Sequence, residues 1–341
     1  MEIVTLDHAK PPFYVGVDVG GTSIKVGIVD DHGNTLAYDN LPTESDTGPE
    51  VAIQQISDLI QRMAQNANVA ESEIARVGLG TPGTMDIPRG MILEPPNLPA
   101  WRDFPIRDEL SKQVKKPVTY ANDANAAAFG EYWIGSGQSH RSIVMLTLGT
   151  GVGGGIILDG HSVTGESSHG GECGHVVIDT SPEARLCSCG LRGHLEAYAS
   201  ATAIIQRCAE ALESGEPSIL SEESSQGNAV TGLAIASAAE QGDALANRLI
   251  METADYLAIG VSIFLSTIDP SAVILGGAMN FGGEQHPIGN KFIERIRGSV
   301  GQLALPVVVD SAVITFAKLG GDAGYIGAAG LARDDHMRAA N

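Results

Sequence analysis

The sequence predicts a two-domain α/β protein in which one architectural half occurs twice. Its 341 residues exceed what one hydrophobic core usually supports. An apolar strand, a glycine turn and a second apolar strand occur at residues 13–36 and again at 141–160, about 130 residues apart. Helical and strand periodicities alternate between and after these copies.

The elements follow in order. "FYVGVDVGGTSIKVGIVDDHGNTL" has β-branched alternation on both sides of "GGT" and a polar "DDHG" turn, so it reads as three strands. In "TGPEVAIQQISDLIQRMAQNA" the apolar residues Ile53, Ile56, Leu59, Ile60 and Met63 fall at helical intervals, with Thr47 and Glu50 at capping-box spacing. "ARVGLGTPG" is a strand that ends in a glycine-proline loop, and "EPPNLPAW" is loop. A helix over "DELSKQVKK", a strand at 117–120 and a helix from about Asp123 come next. Residues 161–196 are loop-rich and hold every cysteine but Cys208, which falls within a helical pattern and is expected in the core. From 197 the chain is mostly helical until Val273, Ile274 and Leu275 form a buried-type strand entering Gly276-Gly277. "SAVITFA" and an alanine-rich helix close it, while residues 214–230 have the composition of a mobile insertion.

Composition narrows the function classes. Hydrophobic content of 43% is ordinary for a globular chain, whereas 42 glycines are many. Lys+Arg 21 against Asp+Glu 41 gives a formal charge of -20, which opposes general affinity for nucleic acid or anionic lipid. A polyanionic ligand must then be met locally, by backbone N–H groups, a helix N-terminus or a metal ion. No secretion signal is read at the N-terminus, and the longest apolar run, 257–268, has 12 residues, too few to span a bilayer. A cytoplasmic location is expected, with cysteines 173, 187, 189 and 208 as thiols or metal ligands instead of disulfides.

Four segments carry candidate chemistry. "DVGGT", Asp18 to Thr22, lies between two strands, so it is neither a Walker loop nor a dinucleotide fingerprint. It is either a plain hairpin turn or a phosphate cradle, with Gly20, Gly21 and Thr22 offering donors and Asp18 reaching Mg²⁺ through water. The second copy, "LGTGVGGG" with Thr150 and Gly151, favours the cradle, since two such turns can grip a triphosphate from both sides. Asn122 and Asp123 sit at a strand-to-helix junction, where they are either an N-cap or a substrate-orienting amide beside a base that accepts a hydroxyl proton. Glu172 can accept from a sugar hydroxyl. His175, Cys187, Cys189 and His194 supply two imidazoles and two thiols, a set suited to structural Zn²⁺, with Cys173 the alternative ligand.

Taken together, "DVGGTSIKVGIVD", "GTPG", "NDANAAAFGE", "LGTGVGGG", "GECGH", "CSCGLRGHLEAYAS" and "ILGG" resemble the ROK family of repressors and sugar kinases, within the hexokinase/actin-like ATPase superfamily, over about residues 13–330. The resemblance implies a two-domain ribonuclease-H-like ATPase fold with an interdomain cleft that closes on sugar. The expected division is 1–121 plus the C-terminal helix 323–341 against 122–322, with a zinc loop at 170–196. It implies ATP phosphates on Gly20, Gly21, Thr22, Thr150 and Gly151, with Asp18 and Lys25 among the residues that bind the nucleotide and its Mg²⁺, and the adenosine end near Gly276 and Gly277. Asp123 corresponds to the general base, and Gly83, Asn122, Asp123, Glu172, His175 and Glu196 to the sugar contacts. His175 would bind zinc through one ring nitrogen and offer the other to sugar. The family pattern CxCGxxGCxE has cysteine where this chain has His194, which alters the charge of the zinc site.

The expected function is therefore ATP- and Mg²⁺-dependent phosphorylation of a hexose, with glucose 6-phosphate the leading product because "GHLEAYAS" looks like the glucokinase branch. An N-acetylmannosamine, N-acetylglucosamine or fructose kinase is the alternative, and a polyphosphate donor is disfavoured by the absence of a basic track. A sugar-responsive repressor, the rival from another class, is disfavoured by the charge and by the twelve residues before the first strand. A homodimer is expected.

Overall fold

The computed structural model describes residues 3–44, 46–221 and 230–340. Residues 222–229 of the expected insertion lie outside the described residues. The first strands and helices are β1 (Phe13–Val19), β2 (Ser23–Val29), β3 (Thr35–Pro42), α1 (Pro49–Asn66), β4 (Ile74–Thr81), β5 (Thr84–Asp86), β6 (Met91–Glu94), α2 (Ile106–Val114), β7 (Val118–Asn122) and α3 (Asp123–Ile134). Then come β8 (Ile143–Leu148), β9 (Val152–Leu158), β10 (His161–Ser162), α4 (Glu196–Ala199), α5 (Ala201–Glu213), α6 (Gly232–Glu240), α7 (Ala244–Ile268), β11 (Ala272–Gly277), α8 (Pro287–Leu303), α9 (Pro306–Ser311), β12 (Val313–Phe316) and α10 (Ala323–Ala339).

Two five-stranded sheets have the orders β3-β2-β1-β4-β7 and β10-β9-β8-β11-β12. Numbered from the first strand of each, both read 3-2-1-4-5, so the repeat seen in the two glycine turns extends to the whole sheet. In the first, β2 runs antiparallel to β1, while β4 and β7 continue parallel to it. In the second, β11 is parallel to both β8 and β12.

By internal contact density the chain forms two compact units: residues 1–139, 155–171 and 318–341, and residues 140–154 and 172–317. This differs from the expected boundary at 121/122, because α3 belongs with the first unit. Its backbone meets that of α10 directly: a Cβ on Gly327 would overlap the carbonyl oxygen of Ala126, and one on Gly130 would lie 2.5 Å from that of Ala323.

Strand alternation explains how the first unit is built. The odd residues of β1, Phe13, Val15, Val17 and Val19, join Val77 and Leu79 of β4 and Ile56, Leu59 and Met63 of α1 in one core. Each such side chain contributes about 1.5–3 kcal/mol when fully buried. The opposite face of these strands carries Gly16 and Gly78, and α10 lies against it. A Cβ on Gly16 would overlap the Tyr325 carbonyl oxygen, and one on Gly78 that of Ala328.

Several local expectations are corrected. The capping box does not form at α1: Gly48 is the N-cap, Pro49 occupies the first turn, and Thr47 donates instead to the Glu44 carbonyl at 2.8 Å. Proline needs no acceptor for an N–H there. The expected 117–120 strand runs from Val118 to Asn122. The β5–β6 hairpin falls mostly in residues 84–93, to which the sequence reading assigns no element, since each strand is too short to show a period. The 12-residue apolar run lies in the 25-residue α7, which by length and composition could cross a membrane. Here Leu249, Leu257, Val261 and Leu265 of α7 are buried. Cys208 is buried as expected.

Gly78→Ala should destabilise the protein by about 1–3 kcal/mol or more, since the methyl meets backbone that cannot move aside. Urea unfolding measures this directly. A variant as stable as the parent would contradict the close seating of α10.

Candidate active site

In the first unit, the candidate residues collect at the carboxyl ends of neighbouring parallel strands. Asp18 of β1 pairs in register with Gly80 of β4, and Thr81 of β4 with Asn122 of β7. Open α/β sheets place ligands at this end. Asp18 lies on the α10 face of β1, and a Cβ on Gly324, in the first turn of α10, would overlap its carboxylate. Burial raises the Asp18 pKa, and Lys25 opposite it in the hairpin register acts to lower it. The Lys25 ammonium donates to the Gly321 carbonyl oxygen.

The turn at 20–22 is held from its backbone. Gly20 N donates to the Ser23 carbonyl at 2.9 Å, Thr43 Oγ1 to the Gly20 carbonyl at 2.8 Å, and Thr43 N to the Thr22 carbonyl at 3.1 Å. Among the described residues, the N–H groups of Gly21 and Thr22 have no acceptor, and both residues are exposed. Thr43, buried just past β3, was not read from the sequence, because one threonine carries no periodic signal. Neither was Asn97, whose amide nitrogen lies 3.5 Å from where a Cβ on Gly21 would stand.

Gly83 has φ +88°, and a Cβ there would come 2.5 Å from the Pro95 Cα, so this loop requires glycine. Beneath it, Thr81 Oγ1 and Tyr120 Oη are 2.8 Å apart, and burial raises the Tyr120 pKa. Asn122 Oδ1 accepts from Ala124 N at 2.9 Å and Asn125 N at 3.2 Å, so Asn122 is the N-cap of α3. Asp123 is the first helical residue, its Oδ1 accepting from Ala124 N at 2.8 Å. The positive end of the helix favours its ionised form. Asn125 Nδ2 donates to the Gly170 carbonyl at 3.3 Å.

In the second unit the turn at 149–151 is clasped by the start of α5. Ala201 N donates to the Gly149 carbonyl and Thr202 Oγ1 to the Thr150 carbonyl, both at 2.8 Å. Glu196 Oε2 accepts from Val152 N at 3.0 Å, and its other oxygen from Ser188 Oγ at 2.6 Å. Again, among the described residues, the N–H groups of Thr150 and Gly151 have no acceptor. Gly276 and Gly277 pair with Thr147 and Leu148 at the carboxyl end of β8. Gly277 has φ +88°, and a Cβ there would overlap the Leu148 backbone. A cavity of about 430 Å³ follows, lined by residues including Ile204, Leu233, Met279, Asn280 and Phe281.

The ligand atoms of His175, Cys187, Cys189 and His194 all lie within 4.8 Å of one another. His175 Nδ1 is 3.2 Å from His194 Nδ1 and 3.8 Å from Cys187 Sγ, and Cys189 Sγ is 3.2 Å from His194 Nδ1. Tetrahedral ligands at zinc bond lengths stand about 3.3–3.8 Å apart, so the donor set fits zinc. Isolated bridges Val177↔His194 and Leu186↔Arg192 shape this loop. Burial, with the His175 ring beside it, lowers the His194 pKa and favours the neutral ring that a ligand must present. Both Nδ1 atoms face the cluster, and His175 Nε2 is 3.8 Å from Glu172 Oε2. Cys173 is outside the cluster and buried, its thiol pushed up to about 12 by that burial.

A family model described as the ROK family matches residues 14–335. A glucokinase of Streptomyces coelicolor is 36% identical over 326 residues, which are 94% of this chain and 97% of the relative. Among solved structures, a ROK hexokinase from Thermus thermophilus matches with TM-score 0.81 and 32% identity over 96% of this chain and 99% of that one. A ROK family glucokinase from Streptomyces griseus, in complex with glucose and AMPPNP, matches with TM-score 0.73 and 35% identity over 94% and 99%. These matches bear out the expected actin-like ATPase fold.

Burial separates the thiols, and only a thiolate attacks a disulfide reagent. Burial raises Cys187 to about 11, Cys173 to about 12 and Cys208 in the same direction, whereas Cys189 is exposed. In chelator-treated folded protein at pH 8, thiol titration should find one fast cysteine of the four and the rest only after unfolding. Fast reaction of Cys173 would contradict its placement.

Proposed function

The chain belongs to the ROK family, and from that premise we propose that it transfers the γ-phosphoryl group of ATP to the 6-hydroxyl of a hexose, with glucose the preferred acceptor. The observation that carries the reading is the placement of Asp123, a carboxylate at the N-terminus of α3 and at the carboxyl end of β7. There the helix favours its ionised form, and it accepts the hydroxyl proton as that oxygen attacks phosphorus. The glucokinase and hexokinase relatives support the donor and the acceptor class.

Phosphate is held without a basic patch. The unclaimed N–H groups of Gly21, Thr22, Thr150 and Gly151 donate to phosphate oxygens, as backbone nests do for anions elsewhere. The cavity beyond Gly277 takes the adenosine end, its apolar lining suited to a purine face. Lys25 offers a positive charge beside Asp18, and Asp18 would hold Mg²⁺ through water, the ion neutralising charge on the transferred group.

Gly83 gives the sugar close access to backbone, and Asn122, Glu172 and Glu196 hydrogen-bond its hydroxyls. His175, Cys187, Cys189 and His194 would hold a structural zinc. The ion supplies loop rigidity, not catalysis, since four protein ligands fill its shell. With both Nδ1 atoms committed, His175 Nε2 remains for a hydroxyl. Two thiolates balance the dication, leaving the site neutral where a three-cysteine site is anionic. The same reading places the enzyme in the cytoplasm, as a homodimer.

A coupled ADP-release assay over glucose, mannose, fructose, N-acetylglucosamine and N-acetylmannosamine should give the highest kcat/KM with glucose. A maximum with an N-acetylhexosamine or fructose would move the assignment to that kinase. Asp123→Ala should lower kcat by about 10²–10⁴-fold with glucose binding largely retained. Near-parental turnover would remove Asp123 as the base. Elemental analysis of protein purified without added metal should find about one zinc per chain, lost in Cys187→Ser. A trace in the parent protein would remove the metal.

A further inference from the structure

The Glu196 carboxylate joins two loops. Its Oε2 accepts from Val152 N at 3.0 Å, directly after the 149–151 turn, and a Cβ on Gly151 would overlap the same oxygen. Its Oε1 accepts from Ser188 Oγ at 2.6 Å, and Ser188 lies between the two clustered cysteines. Ala201 and Thr202 add hydrogen bonds to the Gly149 and Thr150 carbonyls at 2.8 Å. The segment that carries Glu196 is thereby tied to the turn at several points.

The Ser188 end is equally fixed. Cys187 N donates to the Leu191 carbonyl at 2.7 Å and Gly190 N to the Cys187 carbonyl at 3.0 Å, which closes a tight turn around the serine. Ser188 is exposed and Glu196 half-buried, so water competes for Oε1 whenever the serine hydroxyl is removed. Val152 N alone does not stop the carboxylate from turning about its terminal torsion, which is broad for glutamate. Two donors on opposite oxygens do stop it. Cys187 Sγ also lies 3.6 Å from Oε1 and donates to it as a thiol, but as a zinc-bound thiolate it has no hydrogen to give, so two of the carboxylate's about four acceptor positions remain for a ligand.

We infer that Ser188 is a positioning residue for the phosphoryl acceptor: it orients Glu196 so that the carboxylate presents its remaining acceptor positions to a hexose hydroxyl. The inference rests on Glu196 being a hexose ligand, as proposed above. Ser188 itself touches neither substrate. Its removal acts on sugar binding and leaves proton transfer at Asp123 alone.

The experiment uses full-length, metal-loaded protein and compares the parent with Ser188→Ala, Ser188→Thr, Glu196→Gln and the double variant Ser188→Ala/Glu196→Gln. Ser188→Ala should raise the glucose KM about tenfold, the order expected for a hydrogen bond to a charged group, with kcat and the ATP KM within about twofold. Ser188→Thr, which keeps the hydroxyl, should recover most of the loss. On the Glu196→Gln background the serine change should add little, because the two act as one unit. Zinc content and thermal midpoint should match the parent in Ser188→Ala.

An unchanged glucose KM in Ser188→Ala overturns the inference and leaves the kinase reading standing. So does a KM rise that threonine fails to rescue and that tracks lost zinc or stability, since this marks Ser188 as a scaffold for the loop. Failure of the parent protein to phosphorylate any hexose removes the kinase reading and this inference together.

Discussion

The first unit depends on backbone meeting backbone where α10 crosses the sheet and α3. Gly16 and Gly78 on the strands, and Gly130 and Gly327 on the helices, leave out the Cβ atoms that would hold these elements apart. Because side chains alternate along β1, the face that bears Gly16 also bears Asp18, so the close approach brings Asp18 to the first turn of α10. The same approach fixes α3 and therefore Asp123 at its start. The placement of both carboxylates in this unit follows from close packing at glycine.

Glycine solves a second problem, that of charge. In a protein of net charge -20, the turns at 20–22 and 149–151 each keep N–H groups that have no acceptor among the described residues, fixed dipoles that meet an anion without a countercharge. The glycine count, unusual for an ordinary globular chain, thus reflects close packing in one place and open turns in another.

Much of this was legible in the sequence because glycine, proline and strand alternation are local signals. The two turns, the Asn122-Asp123 junction and the four-residue Cys/His set each lie within about twenty residues, and the duplicated half shows when two such short segments are compared. What escaped depends on contacts distant in sequence. Thr43 clamps the first turn from beyond β3, and Asn97 approaches Gly21 from another loop. The link from Ser188 to Glu196 joins a turn to a helix start, which no periodicity reports. The expected boundary follows the Asn122-Asp123 junction, whereas the compact unit is set by how α3 packs on α10. Thr47 and Glu50 had the right spacing for a capping box, but Gly48 and Pro49 between them start the helix on their own.

The central claim is transfer of phosphorus from nucleotide to sugar by this single chain. Phosphorus NMR of the purified protein with glucose, ATP and Mg²⁺ tests it most directly. A hexose 6-phosphate resonance should grow in step with ADP while inorganic phosphate stays flat. Release of inorganic phosphate with no sugar ester, or no loss of ATP at all, would contradict it.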